Sequence, residues 1–141
     1  MCSSDLPGSS GWASQYVKLT PSLAASDTAT GVNNGMMGVT WIDLDGNGTA
    51  DVLYGTDLQG KVWKFNIKSS NPAEWTSAFK SSATDVPFFI ANTCTTSDTS
   101  CATPAAITTN PVAMVPTFGG VMVSFGTGRA DRKSTRLNSS H

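Results

Sequence analysis

The sequence predicts an all-β chain forming a partial β-propeller, about two blades of a larger one, with a calcium-binding loop set into a hairpin. Three observations predict it. Short β-branched and aromatic runs recur between tight turns, as in Val52-Leu53-Tyr54-Gly55 and Lys61-Val62-Trp63-Lys64-Phe65-Asn66-Ile67. The pattern hydrophobic-x-aromatic-Gly-Thr occurs at residues 52–56 and again at 123–127. Between two of the strands, Asp43-Leu44-Asp45-Gly46-Asn47-Gly48-Thr49-Ala50-Asp51 places side-chain oxygens at every second position.

The ends are set aside first. Residues 131–141 read as translated sequencing-library adapter: GAT CGG AAG AGC ACA encodes Asp131-Arg132-Lys133-Ser134-Thr135. The reverse complement, entered at a GTG start, encodes Met1-Cys2-Ser3-Ser4-Asp5 and opens the codon of Leu6. Residues 1–6 and 131–141 are therefore expected to be adapter-derived and to carry no fold information. That leaves residues 7–30 as a poorly defined linker or strand and 31–130 as the partial propeller domain.

Within residues 7–30, rich in Ser, Ala and Thr, the stretch 15–19 alternates in character and is expected to be a strand. Residues 31–38 are Gly/Asn-rich and read as a loop. Gly38-Val39-Thr40-Trp41-Ile42 is a strand running into the acidic stretch, and residues 52–55 return from it. Thr56-Asp57-Leu58-Gln59-Gly60 is a turn, and residues 61–67 alternate polar and apolar, with Lys61 and Val62 on opposite faces. Asn71-Pro72-Ala73-Glu74-Trp75 can open one helical turn. Residues 86–90 are expected to be the fourth strand, and Pro87 confines it to an edge, as suits the outer strand of a blade. A four-stranded meander is the unit of a propeller blade. Residues 107–115 and 119–128, joined by a short turn, begin the next blade. The spacing fits a repeat of about 40–50 residues if the stretch around Cys94 and Cys101 is an insertion.

The acidic stretch carries the chemistry. A calcium ion takes six to eight oxygens at about 2.3–2.6 Å, and alternate residues of a tightly wound loop can point inward together. Asp43, Asp45 and Asn47 offer side chains, Thr49 a carbonyl, and Asp51 closes the set. Gly46 and Gly48 permit the sharp turns. The place of the bidentate Glu of an EF-hand falls on Tyr54, and strand rather than helix follows, so the loop belongs to a β-hairpin. The alternative is an acidic turn without metal.

Composition removes other chemistries. Without the ends the only His, His141, is gone, so neither a Ser-His-Asp nor a Cys-His site can be built, and the chain is expected not to be an enzyme. Six basic and eight acidic residues remain, a balance that offers nucleic acid no electrostatic footprint. No stretch approaches the roughly 20 apolar residues of a membrane span. Cys94 and Cys101 flank a polar loop. A disulfide between them would contribute on the order of 2–3 kcal/mol, with free thiols as the alternative; two Cys without His make a poor zinc site.

The pairing of the Asp43–Asp51 loop with Asp57-Leu58-Gln59-Gly60-Lys61-Val62-Trp63-Lys64-Phe65 resembles the C-terminal propeller of PilY/PilC-type pilus-tip proteins. Ile107-Thr108-Thr109-Asn110-Pro111 and Val121-Met122-Val123-Ser124-Phe125-Gly126-Thr127-Gly128-Arg129 resemble that propeller's next blade. The resemblance covers roughly residues 31–129. It implies a role in type IV pilus biogenesis, adhesion and calcium-dependent control of extension and retraction, with Ca²⁺ held by Asp43, Asp45, Asn47, Thr49 and Asp51. It further implies minor pilins as partners, host or abiotic surfaces as targets of regions outside this chain, and a place at the pilus tip or outer membrane after export through the periplasm. Two other classes carry similar patterns. One is an integrin-like FG-GAP propeller, a generic extracellular calcium-binding module. The other is a fragment of a quinoprotein dehydrogenase, in which Trp41, Trp63 and Phe65 would stack on a cofactor rather than pack between blades.

Overall fold

The computed structural model describes residues 17–23, 34–92 and 104–128, and the statements below concern these. The adapter-like ends, Cys94 and Cys101 lie outside them. The described chain is all-β apart from one 3-10 turn, Pro72–Glu74, capped by Asn71, whose side chain accepts from the N–H of Ala73.

The first blade is a meander of β1 (Met36–Ile42), β2 (Val52–Asp57) and β3 (Lys61–Asn66). All pairs are antiparallel, with Ile42 opposite Val52 at one end of β1–β2 and Tyr54 opposite Lys64 in β2–β3. β1 starts at Met36, two residues earlier than its sequence pattern indicates, and its pairing with β2 has an irregularity between Met36 and Gly38. The turn after β2 is tighter than expected. Thr56 and Asp57 stay in the strand, and the chain reverses at Leu58 and Gln59.

The fourth strand differs from expectation. Residues 86–90 do not form one strand. The outer edge comes in two pieces, β4 (Thr76–Ser77) beside Asn66 and Phe65, and β7 (Phe89–Ile90) beside Val62 and Lys61. Between them the chain leaves the edge as a small hairpin, β5 (Lys80–Ser81) with β6 (Thr84–Asp85). Pro87 has no N–H to give the ladder, and pairing resumes one residue later, where Phe88 N donates to Val62 O at 2.8 Å. The strand expected at residues 15–19 is also not seen in its described part, since residues 17–19 carry no strand. That segment joins the blade at Ser22, which exchanges two 2.7 Å hydrogen bonds with Asp85.

The second blade begins with β8 (Val112–Met114) paired to β9 (Met122–Ser124). Ala113, Val121, Val123 and Phe125 pack on a core made by Ile42, Val52, Tyr54, Val62, Ala91, Ala105 and Ile107. Antiparallel partners share a face, so Ile42, Val52, Tyr54 and Val62 form one face of the first blade, and that face meets the second. This is propeller packing, sheet face on sheet face. The alternation read in β3 holds, yet both faces are covered: Lys61 is 7% exposed and Val62 fully buried. Lys61 manages this with its ammonium 6.0 Å from the Trp63 ring centre.

The opposite face of β1 stays open, with Val39 at 55% and Trp41 at 64% exposure, and Val112, Met114 and Met122 stand open on β8–β9. Apolar faces and strand edges of this kind are what a missing neighbouring blade leaves. The chain on its own is therefore expected to self-associate, with light scattering that rises with concentration. A monomeric sample that melts cooperatively would contradict this.

Candidate cation-binding loop

The loop is built from its two ends inward. Asp51 N donates to Ile42 O at 2.9 Å and Ile67 N donates to Asp51 O at 2.9 Å, so Asp51 is locked into the ladder just ahead of β2. Its side chain turns back under the loop, 3% exposed as a residue, where Oδ2 accepts from Leu44 N at 2.7 Å and Asp45 N at 3.2 Å. Asp43 ties the other side: Oδ1 accepts from Gly46 N and Oδ2 from Gly48 N, both at 2.7 Å. Gly46 and Gly48 take φ of +73° and +87°, the left-handed winding that a side chain disfavours.

This winding brings one carboxylate oxygen from each of Asp43, Asp45 and Asp51 to within 4.8 Å of the others. Two ligands on opposite sides of a calcium ion lie about 4.6–5.2 Å apart, so the spacing fits such an ion. A second observation points the same way. Asp51 Oδ1 is buried and has no hydrogen-bond partner, an arrangement that is costly for a carboxylate unless a cation completes it. Asn47 stands on the same loop, but its Oδ1 accepts from the N–H of Thr49 at 2.8 Å and from the Thr49 hydroxyl. The carboxylates are thus gathered, while the Asn47 oxygen is held by its neighbour two residues on.

Lys68 completes the electrostatics, and sequence reading passed it over. Its ammonium lies 2.7 Å from Asp45 Oδ2 and 3.6 Å from Asp51 Oδ1. Its hydrogen bond holds the Asp45 carboxyl below the usual carboxylate range, against a smaller opposing effect of desolvation. The same bond raises Lys68 above the ordinary lysine range. Nothing near Lys68 in the chain announces this role. The signal lies in the hairpin: if β2 and β3 pair Val52 with Asn66, residue 67 falls beside Asp51 and Lys68 beside the loop.

Fold and loop together define a pair of propeller blades with an acidic loop between the first two strands. Comparison with known proteins narrows the class. The family described as the PilY1 beta-propeller domain matches residues 19–140, beginning ahead of Gly31, where the sequence resemblance was placed. The chain belongs to that family. It is 39% identical over 67 residues to the type IV pilus biogenesis factor PilY1 homolog of Xylella fastidiosa, covering 47% of this chain and 5% of that protein. The crystal structure of the Pseudomonas aeruginosa PilY1 C-terminal domain superposes with a TM-score of 0.52 at 28% identity, over 71% of this chain and 22% of that one. The chain therefore spans a small part of the relatives it matches. The family assignment sets it with pilus proteins rather than with integrin-like or quinoprotein propellers.

Proposed function

We infer that the chain is a calcium-binding part of a type IV pilus biogenesis factor, acting in pilus assembly, surface adhesion and calcium-dependent control of extension and retraction. Family membership supports the pilus role. The observation that carries the calcium reading is the gathering of one carboxylate oxygen from each of Asp43, Asp45 and Asp51 within 4.8 Å, with the buried Asp51 Oδ1 met by no hydrogen-bond donor and neighboured by the Lys68 ammonium at 3.6 Å. Asp43, Asp45 and Asp51 would hold the ion first. Asn47 would join by releasing Thr49, with the Thr49 carbonyl as a further donor. Bound calcium would supply charge neutralisation and a fixed loop shape, and no catalytic step. Minor pilins are the partners this reading expects, at the cell surface.

With three carboxylates the affinity is expected at roughly 10⁻⁶–10⁻³ M, with calcium preferred over magnesium, which resists dehydration and demands octahedral geometry. The test is titration calorimetry on a complete propeller carrying these blades, after chelation, with Asp43→Ala and Asp51→Ala beside wild type. Each variant is expected to lose at least about tenfold in affinity, since each removes one of three anionic ligands. Equal calcium heats in all three would dismiss the site. In cells, Asp51→Ala is expected to change pilus number or twitching.

A further inference from the structure

Lys68 holds an unusual place. Ile67 N is bonded to Asp51 O, so the backbone before Lys68 is pinned beside the loop. From there the ammonium reaches Asp45 Oδ2 at 2.7 Å, while Asp51 Oδ1, the buried oxygen without a hydrogen-bond partner, lies 3.6 Å away. These are two of the three gathered carboxylates. The side chain is 65% exposed, so nothing sterically confines it there.

An ammonium on these oxygens and a divalent ion drawn to the same carboxylates compete for one pool of negative charge. A calcium ion would sit at about 2.3–2.6 Å from each ligand oxygen, inside the space that the ammonium approaches. Two cations at that separation repel, and the loop's low exposure at Asp51 weakens screening of that repulsion. Entry of the ion therefore requires Lys68 to leave. The exit is open, since the long stem can carry its charge to water. An equilibrium of this kind scales the apparent dissociation constant by the reciprocal of the fraction of molecules in which the competitor is absent.

We propose that Lys68 is a tethered competitor for the loop's cation: its ammonium neutralises Asp45 and Asp51 in the metal-free protein, and its displacement sets the calcium affinity. The proposal rests on the calcium reading above and adds a residue that lowers affinity rather than raising it. Its consequence is a loop that stays folded without metal and responds to calcium at higher concentration than its carboxylates alone would dictate.

The test compares wild type with Lys68→Met, which keeps the stem and loses the charge, and Lys68→Arg, which keeps the charge. All three are titrated with calcium chloride in the complete propeller, and their melting is followed in chelator. Lys68→Met is expected to bind calcium about three- to tenfold more tightly, the scale of a largely exposed ion pair plus one removed repulsion. It should also melt lower in chelator than wild type, while Lys68→Arg stays within about twofold of the wild-type affinity. Calcium heat in wild type with equal or weaker binding by Lys68→Met would overturn the proposal and leave the calcium site standing. Absence of heat in both would overturn the site itself, and the proposal with it. Heat in Lys68→Met alone would support both.

Discussion

Asp57→Ala is expected to destabilise the first blade by roughly 3–5 kcal/mol, the range for removing one partner of a buried charged network. Asp57 is 2% exposed, and both its oxygens are fully used. Oδ1 accepts from Gln59 N and Lys61 N, each at 2.9 Å, which closes the turn between β2 and β3. Oδ2 accepts from Trp63 Nε1 at 3.0 Å and Asn34 Nδ2 at 2.9 Å, which ties that turn to the blade face and to the chain entering β1. Alanine would strip the acceptor from four donors at once, two of them in buried side chains or backbone that water reaches poorly. Asp57→Asn should cost less. Its remaining oxygen can still serve the turn, but its amide meets the Trp63 N–H donor to donor. Urea denaturation of a complete propeller carrying these blades reads the effect as a fall in midpoint at constant slope. A loss under about 1 kcal/mol for Asp57→Ala would mean that the carboxylate does not hold the turn.

The parts of the fold that were legible in sequence are those whose geometry is local. β2 and β3 stand out because the short run Val52-Leu53-Tyr54 and the polar–apolar alternation of residues 61–67 flank a turn that ends at Gly60. The Asp43–Asp51 loop is legible because oxygens at alternate positions suit a tightly wound loop and Gly46 and Gly48 permit the positive φ that the winding uses. What was illegible depends on partners far along the chain. β4 and β7 are two residues each, too short to carry a period, and exist because β3 offers an edge. The hairpin between them could not be inferred from a run that looked continuous through Pro87. Asp57, expected in the turn, instead ends β2 and closes the turn with its side chain, and the sequence does not disclose that Trp63 and Asn34 share its second oxygen. Lys68 escaped for the same reason: its place follows from strand register, not from its neighbours in sequence.

Gly60→Ala is expected to cost roughly 2–4 kcal/mol, about 1 for a left-handed backbone and the rest for overpacking. Gly60 takes φ +75°, and a Cβ there would lie 2.6 Å from the carbonyl oxygens of both Ala91 and Ala105 and 3.2 Å from Ala105 N. These are backbone atoms and cannot swing aside. They also form a hydrogen-bonded relay, with Ala91 N donating to Gly60 O at 2.7 Å and Ala105 N to Ala91 O at 2.8 Å. The chain passes here from the outer edge of the first blade towards the second, beside the fully buried Ile107. A methyl group would push both passes away and loosen the contact between blades. Gly46→Ala is the control. Gly46 has nearly the same φ, +73°, but a Cβ there meets nothing within 4 Å. It is expected to cost only the backbone share, about 1 kcal/mol. With both variants measured by urea denaturation in metal-free buffer, the difference between them isolates the close approach. Equal losses would show that Ala91 and Ala105 do not crowd Gly60, and that the blades are not joined at this point.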